Sequence, residues 1–256
     1  MLSLEKIFQA RNRLAPYVYH TPLLHLHALD PLLGCQVYVK AECMQLTHSF
    51  KIRGALNRIL QLTPEERARG VVTASSGNHG RGVAYAAKML GIQATVVIPD
   101  HAPAVKIQAV RDLGAEVILC DKPKRFAIAE KLRDEKGLCY VPPFNDYEVM
   151  AGQGTIALEI LEDLPDPSAV LIPLGGGGLT SGIATAIKGI RPETRVYACE
   201  PARIPRFTVS LKEGRPTAVP QVDTIADGVA TLCPGDKTLP IVHDKVDRII
   251  DVPEEA

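Results

Sequence analysis

The most informative stretch of the sequence is a run of four glycines, Gly175, Gly176, Gly177 and Gly178. The run follows the apolar residues 169–174 and precedes a helix-forming stretch at 179–187. Glycine amides can turn toward one point, and the positive end of a helix dipole attracts an anion. Each glycine costs about 0.5–1 kcal/mol relative to alanine, so a plain turn would not need four. The run therefore favours a phosphate site over a flexible turn.

The spacing within this run excludes two common phosphate motifs. In the dinucleotide fingerprint, the third glycine would fall on Thr180 or Ser181. In the P-loop, counted from Gly177 and Gly182, Ile183 stands where a lysine is required. We therefore expect a smaller phosphorylated ligand.

Lys51 lies among apolar residues where a helix over 52–62 is predicted to begin. A lysine that is close to a helix N-terminus and partly removed from water has a lowered pKa. Its amine is then available as a nucleophile toward an aldehyde. By itself, a surface lysine is the simpler interpretation of this residue.

A third polar segment, residues 75–80, reads Ser-Ser-Gly-Asn-His-Gly and separates a predicted strand at 71–74 from a predicted helix at 81–90. Parallel sheets bind ligands at this carboxyl edge of their strands. We expect no serine nucleophile, because the chain lacks the G-x-S-x-G pattern. The histidine of this segment, His79, suits a structural hydrogen bond as well as it suits a base.

Together, the three segments favour one cofactor. Pyridoxal 5′-phosphate carries an aldehyde, a phosphate and a ring that needs polar partners, which match the lysine, the glycine run and the polar loop. A general small-phosphate binder without covalent chemistry is the alternative that these residues leave open.

The elements that must position these residues alternate between strand and helix. The predicted strands lie at 71–74, 94–98, 116–120, 169–174, 195–199 and 248–252, and the helices between them include 104–113, 126–135 and 148–164. The pattern predicts an α/β fold with mostly parallel sheets covered by helices on both faces. The wholly apolar stretch 169–174 is predicted to be a buried strand. An amphipathic helix at 4–14 is predicted to pack against the rest of the protein.

Composition narrows the class of protein further. Lysine plus arginine equal aspartate plus glutamate at 29 each, so no net charge would attract a nucleic acid or an anionic membrane. No apolar run is long enough to span a membrane, and the charged N-terminal segment does not match a signal peptide, so we expect a cytoplasmic protein. The six cysteines lie far apart without zinc-site spacing, which predicts reduced thiols.

Five motifs, in order along the chain, resemble one known family. They are residues 49–55, 75–80, 152–155, 175–179 and 224–229. This order closely resembles the serine racemase and serine/threonine dehydratase family of fold-type II pyridoxal phosphate enzymes, whose fold is similar to that of the tryptophan synthase β subunit. The resemblance extends over residues 21–255 and is specific at the level of the family.

The resemblance implies two domains, each with a mostly parallel sheet flanked by helices. Residues 1–69 and 146–256 would form a large cofactor-binding domain, and residues 70–145 would form a small mobile domain that closes over substrate. The prolines at 142–143 fit this boundary. Because the family usually continues past a segment like 252–255, the resemblance also implies that the C-terminal part of the large domain is missing. That part would supply the group facing the pyridine nitrogen.

The resemblance also assigns roles to individual residues. Lys51 would hold the cofactor covalently, Phe50 would border its ring, and Asn78 would bind its 3-hydroxyl group. The backbone of Gly175, Gly176, Gly177 and Gly178 would hold the phosphate, and Gly228 would also contact the cofactor. The substrate carboxylate would meet Ser75, Ser76, Gly77 and His79.

The activity implied is dehydration of L-threonine, L-serine or a related 3-hydroxy amino acid to a 2-oxo acid and ammonia, with Lys51 removing the Cα proton. In the racemase branch a serine matching Ser76 returns a proton to Cα on the opposite face, so racemisation is the alternative. The stretch 143–145, Pro-Phe-Asn, resembles the dehydratases more closely. A catalytically silent pyridoxal phosphate binder is the further alternative, because the usual C-terminal segment is missing.

A metal site and an assembly are also part of the family pattern. In metal-using relatives a divalent cation lies near a glutamate matching Glu200 and an acidic residue six positions later, where this sequence has Arg206. We therefore expect no metal site of that type and predict that Arg206 pairs with Glu200 instead. The partners that we expect are a small amino-acid substrate and further copies of the chain, as a dimer or tetramer.

Overall fold

The computed structural model describes residues 1–75 and 77–255. The strands within these residues are β1 (Leu23–His25), β2 (Tyr38–Lys40), β3 (Val71–Ala74), β4 (Ala94–Pro99), β5 (Glu116–Cys120), β6 (Cys139–Tyr140), β7 (Ala169–Pro173), β8 (Arg195–Pro201) and β9 (Arg248–Val252). The helices are α1 (Leu4–Leu14), α2 (Asp30–Leu33), α3 (Lys51–Leu60), α4 (Pro64–Arg69), α5 (Asn78–Met89), α6 (Ala104–Arg111), α7 (Arg125–Lys136), α8 (Tyr147–Asp163), α9 (Gly178–Ile190), α10 (Arg206–Glu213) and α11 (Thr238–Lys245). Short 3₁₀ helices lie at Glu42–Met44, Lys122–Lys124 and Asp227–Val229.

Two parallel sheets organise the molecule, which confirms the predicted α/β fold. The first has the strand order β5-β4-β3-β6, and the second has the order β7-β8-β9. Strands β1 and β2 form a separate antiparallel pair. Parallel neighbours need a crossover connection, and helices such as α5 between β3 and β4 supply it.

The first sheet is covered on both faces, as its continuous β-branched strands predict. Val71 and Val96 pack against α5, which contributes Val83 and Ala84 to the same cluster. On the other face, side chains of β3 and β4 pack against α7 around Ala129. Strand β3 is therefore packed on both faces of the sheet.

The prediction that residues 169–174 form a buried strand is wrong for one face of β7. Ile172 is buried in a cluster with Ile183 and Ile187 of α9, whereas Leu171 is 63% exposed. Side chains alternate between the two faces of a strand, and only the face toward α9 is packed against a helix here. An apolar sequence alone therefore cannot show whether helices cover one face of a strand or both.

Helix α8 is the central packing element. Every residue from Val149 to Ile160 is buried. The helix packs against α1, α3 and α9, so it connects the element that carries Lys51 with the element that follows the glycine run. Its N-cap Asp146 accepts hydrogen bonds from the amides of Glu148 and Val149, which fixes where the helix begins.

Two further findings concern the predictions from composition. All six cysteines are unpaired, as expected. Within residues 1–75 and 77–255, no helix has the length and apolar character that a membrane span would need.

Candidate active site

A cleft of about 1570 Å³ brings together nearly all of the residues predicted for the site. It lies where β3 and β7 end, at the carboxyl edges of the two parallel sheets. The predicted residues that line it are Phe50, Lys51, Ser75, Gly77, Asn78, His79, Gly175, Gly176, Gly177, Gly178 and Gly228. Ser76 lies outside the described residues, and Glu200 is not among the described residues that line the cleft.

Lys51 is the first residue of α3, and Phe50 is the N-cap of that helix. The Nζ atom of Lys51 donates a hydrogen bond to the carbonyl oxygen of Pro143 at 2.8 Å and lies 5.1 Å from the centroid of the Phe50 ring. Burial lowers the pKa of Lys51 to about 8. More of this amine is therefore unprotonated near neutral pH than of a surface lysine, which suits attack on an aldehyde.

His79 is buried beside the lysine. Its Nε2 lies 3.0 Å from the carbonyl oxygen of Val141. A carbonyl can only accept, so Nε2 carries the proton and Nδ1 is left as an acceptor. Burial is the main cause that lowers the pKa of His79 to about 3, and the positive charge of Lys51 adds to it. His79 is thus a neutral imidazole whose side chain has a structural hydrogen bond.

The first turn of α5 presents backbone and side-chain donors to the cleft. The helix begins at Asn78, three residues before the predicted start at position 81, and Gly77 is its N-cap. The amide of Gly77 donates to Ser75 Oγ at 3.3 Å. The first amides of a helix have no intrahelical acceptor, so those of Asn78 and His79 are available to an anion. The exposed side chain of Asn78 also lines the cleft.

The glycine run needs its glycines for packing as well as for a ligand. A β-carbon on Gly176 would overlap the ring of Phe144, and one on Gly178 would lie 2.8 Å from Phe144 Cβ. Gly177 has a φ of +92°, and a β-carbon there would lie 2.6 Å from Phe207 Cζ. The entropy argument from the sequence attributed all four glycines to phosphate binding. The structure adds a steric reason for at least three of them.

The amides of this run remain available for an anion. Before the run, the amide of Leu174 donates to the carbonyl of Cys199 and so extends the pairing of β7 with β8. After the run, the amide of Ser181 donates to the carbonyl of Gly177. Among the hydrogen bonds of the described residues, none is donated by the amides at positions 175–180. Unpaired amides at a helix N-terminus are suited to a phosphate group.

The described residues therefore fit pyridoxal phosphate by their donor chemistry. The amine of Lys51, the unpaired amides of the glycine run and the side-chain amide of Asn78 all line one cleft. Each matches a different part of the cofactor: its aldehyde, its phosphate and its ring hydroxyl.

The surroundings of Glu200 do not fit a divalent cation. Its carboxylate accepts hydrogen bonds from the amides of Phe207 and Thr208 at 3.0 and 2.9 Å. The Nε atom of Arg206 lies 3.9 Å from Glu200 Oε2, and both side chains are fully buried. Burial raises the pKa of Glu200, while these amides and Arg206 partly oppose the rise. A positive charge already lies beside this carboxylate, and both of its oxygens accept from amides, so these surroundings disfavour a divalent cation.

Another group of metal-type donors lies outside the cleft. His25, His27 and Asp30 have ligand atoms within 4.8 Å of one another, and none of the three lines the cleft. Asp30 already accepts from His25 Nε2 at 2.7 Å and from the amide of Val37 at 2.9 Å. These contacts account for the cluster as part of the packing between the β1–β2 pair and α2.

Three residues of the site were not predicted as site residues from the sequence. Phe144 packs on the glycine run, and Arg206 and Thr238 donate hydrogen bonds to its carbonyl oxygens. For Phe144 the signal was its place between a double proline and a helix N-cap. No local pattern marks Thr238, because its role depends on contact with a segment distant in sequence.

Comparison with known proteins agrees with this geometry. A family model described as pyridoxal-phosphate dependent enzyme matches residues 14–256. An L-threonine ammonia-lyase of Thermotoga maritima is 46% identical over 257 residues, covering 100% of this chain and 64% of that protein. The chain spans the same 64% of a second L-threonine ammonia-lyase, from Geobacter sulfurreducens.

Two solved structures are also similar. Maize serine racemase has a TM-score of 0.96 at 39% identity, and the match covers 99% of this chain and 78% of that one. A threonine deaminase from T.th. has a TM-score of 0.94 at 43% identity, covering 99% of this chain and 83% of that one.

Proposed function

Because the chain belongs to the pyridoxal-phosphate dependent enzymes, we propose that it is a lyase that dehydrates L-threonine or L-serine to a 2-oxo acid and ammonia. The observation that carries this proposal is that the Lys51 amine and the unpaired amides of residues 175–178 line one cleft. Similarity to two L-threonine ammonia-lyases supports the choice of reaction. The P-F-N stretch at 143–145 favours the same branch of the family.

In this proposal the chain holds the cofactor at three points. Lys51 Nζ would hold its aldehyde carbon, with the aldehyde oxygen lost as water, the amides of the glycine run would bind its phosphate, and the Asn78 side chain would bind its ring hydroxyl. Phe50 and Gly228 border the same space. When bound, pyridoxal phosphate supplies an electron sink for the carbanion that forms at the substrate Cα.

The substrate is proposed to bind at the first turn of α5. Its carboxylate would accept from the Ser75 hydroxyl and the His79 amide, and from the Gly77 amide once that amide gives up its bond to Ser75 Oγ. The His79 side chain would stay bonded to Val141. Once the substrate amino group replaces Lys51 on the aldehyde carbon, the freed Lys51 amine would take the Cα proton. The β-hydroxyl would leave with a proton as water, and a second water would then release ammonia and give the 2-oxo acid. The lowered pKa of Lys51 suits this role as a base. A contact with Ser76 remains a prediction from the sequence.

Racemisation is the second candidate. It is favoured by the similarity to maize serine racemase and by Ser76, which matches the serine that reprotonates Cα in that branch. Proton return to the opposite face of Cα would yield the D-isomer, whereas loss of the hydroxyl yields a 2-oxo acid. The product therefore distinguishes the two reactions.

We further propose that residues 1–69 and 146–256 form one domain and residues 70–145 a smaller, mobile one. The four strands of the first sheet all lie within 71–140, and those of the second lie within 169–252, which supports this division. A cytoplasmic address and a dimeric or tetrameric assembly also remain predictions from the sequence.

The test is to load the protein with pyridoxal phosphate, add L-threonine or L-serine, and identify the product. We expect a 2-oxo acid and ammonia in equal amounts, and no product from Lys51→Ala. Accumulation of a D-amino acid would favour the racemase. Bound cofactor without turnover would contradict both enzymes and favour a silent binder, and a visible cofactor band that persists in Lys51→Ala would favour a binder without covalent chemistry.

A further inference from the structure

The carbonyl oxygens that lead into the glycine run are held by two buried side chains. Arg206 donates from Nε to the carbonyl of Gly175 at 2.9 Å and from a terminal nitrogen to the carbonyl of Leu174. Thr238 donates from its hydroxyl to the carbonyl of Gly176 at 2.8 Å. Both side chains are fully removed from solvent. Three successive peptide units are therefore held from one side.

Holding these carbonyls also orients the amides that follow them. A trans peptide is planar, and its C=O and N–H bonds point in opposite directions. The described residues contain no cis peptide. With the carbonyls of Leu174, Gly175 and Gly176 directed at Arg206 and Thr238, the amides of Gly175, Gly176 and Gly177 must point away from those side chains.

The fourth peptide unit is oriented by the helix itself. The carbonyl of Gly177 accepts from the amide of Ser181, so it points along the axis of α9. The amide of Gly178 then points out of the N-terminal end of the helix. All four amides lack acceptors among the described residues, and all four residues line the cleft. The backbone is thus arranged for an anion before one binds.

Arg206 is itself fixed in place. Its second terminal nitrogen donates to the carbonyl of Ile204 at 2.8 Å. The carboxylate of Glu200 lies 3.9 Å from the Nε atom of Arg206. Glu200 in turn accepts from the amides of Phe207 and Thr208. A planar guanidinium can reach three carbonyls at once, whereas an ammonium group lacks this fixed geometry. Lysine is therefore a poor substitute at this position.

Thr238 is oriented in a similar way. Its hydroxyl oxygen accepts from the amide of Gly235 at 3.0 Å. The hydroxyl proton then has two carbonyl oxygens within reach, that of Gly176 at 2.8 Å and that of Gly235 at 3.2 Å, and the shorter distance favours Gly176. Valine has the same shape as threonine but cannot make either bond, whereas serine keeps both.

We propose that Arg206 and Thr238 are positioning residues that preset the amides of Gly175, Gly176 and Gly177 to bind the phosphate group of the cofactor. This inference rests on the proposed function, because only that function identifies the anion at the loop as the phosphate of pyridoxal phosphate. Neither residue touches the reacting atoms.

The test compares two ligands that differ only in the phosphate. The dissociation constants of pyridoxal phosphate and of pyridoxal are measured by absorbance titration of the cofactor-free protein. Both ligands carry the aldehyde that reacts with Lys51, but only the first has a group for the loop. We expect Thr238→Val and Arg206→Lys each to reduce the preference for pyridoxal phosphate at least tenfold, through weaker binding of the phosphorylated ligand alone.

Matched controls separate this effect from general damage. Thr238→Ser keeps the hydroxyl and should retain the wild-type preference within about twofold. Thr217→Val and Arg203→Lys make the same chemical changes at positions that do not line the cleft and should also leave the preference unchanged. Circular dichroism and thermal melts identify any variant that does not fold. If Arg206→Lys does not fold, Thr238→Val decides the question because it removes only one hydroxyl.

The outcomes are distinguishable from those of the proposed function. An unchanged preference in folded Thr238→Val overturns the inference, as does a wild-type protein that binds pyridoxal as tightly as pyridoxal phosphate. Equal losses for both ligands also overturn it, because they would indicate a general structural role. A protein with the expected preference but no turnover contradicts the proposed activity and leaves the positioning role supported.

Discussion

Lys51 and His79 lie in one cleft, and their protonation states are linked. Burial and the charge of Lys51 together hold the pKa of His79 at about 3, and burial alone holds that of Lys51 at about 8. At neutral pH the imidazole is therefore uncharged. Of the two side chains, only Lys51 has a pKa close to neutral pH. This assigns proton transfer in the proposed reaction to Lys51.

The pH dependence of cofactor loading follows from the pKa of Lys51. Below about pH 8 the amine is mostly protonated, so the fraction able to attack the aldehyde rises about tenfold for each pH unit. Above that value the fraction levels off. We expect the rate of pyridoxal phosphate loading, followed by absorbance, to rise with pH and reach a plateau above pH 8.

Nα-acetyl-lysine in the same buffers is the control, because its amine keeps an ordinary pKa and titration of the cofactor itself affects both reactions equally. A loading rate that rises in parallel with this control as far as pH 10 would contradict the lowered pKa.

Arg206 supports a second prediction at the level of single residues. Its guanidinium lies beside Glu200, whose surroundings do not fit a divalent cation, and a chelator cannot remove a guanidinium. We expect the activity of the cofactor-loaded protein to stay within about twofold after treatment with EDTA and to be unchanged by added Mg²⁺ or Ca²⁺. Loss of activity that a divalent cation restores would contradict this assignment.

Among the elements, α8 packs against both the helix that begins with Lys51 and the helix that follows the glycine run. A β-carbon on Gly152 would lie 2.6 Å from the carbonyl oxygen of Arg53 in α3, and one on Gly182 of α9 would lie 2.6 Å from the amide nitrogen of Gly154. Glycines thus let α8 approach both α3, which begins with Lys51, and α9, which follows the glycine run. The motif at 152–155 has a packing role in this structure.

Gly182→Ala tests this close approach. The added methyl group would meet the backbone of α8, so we expect the free energy of unfolding to fall by about 1–3 kcal/mol, measured by urea denaturation. Gly189→Ala in the same helix is the control. There the new β-carbon would meet a flexible Leu4 side chain at 3.1 Å, and the higher helix propensity of alanine offsets the contact. Equal effects of the two substitutions would show that the contact between α8 and α9 is not tight.

At the scale of the whole molecule, the site combines the ends of two separate sheets. The segment after β3 contributes Ser75, Gly77 and Asn78, and the segment after β7 contributes the glycine run. Lys51 comes from neither sheet, and its amine bonds to the carbonyl of Pro143, at the predicted boundary of the smaller domain. A relative movement of the two sheets would therefore change the distances between the groups proposed to bind cofactor and substrate.

We expect bound amino acid to slow such movement. With pyridoxal phosphate and L-alanine, which has no β-hydroxyl to lose, amide hydrogen exchange should slow in the first turn of α5 and at Phe144 and Asn145. The interior of α8, which is buried already, should show no change and acts as the internal control. Unchanged exchange at saturating L-alanine would contradict the proposed closure of residues 70–145 over substrate.

The sequence by itself determined the chemistry of the site and most of its elements. A lysine at a helix start, a glycine run before a helix and a polar loop after a strand are local patterns, and all three lie in the cleft. The bounds of α1, β3, β5 and β9 match their predictions, because helix and strand periodicity depends on neighbours a few residues away.

Tertiary packing decided the rest. The exposure of Leu171 depends on which face of β7 a helix covers, and the steric need for Gly176 depends on Phe144 from another segment. The proton position on His79 depends on the Val141 carbonyl, and the role of Arg206 depends on carbonyls that only the folded chain brings within reach. Burial, hydrogen-bond partners and local charge are set by contacts between distant segments, so no local pattern could specify them.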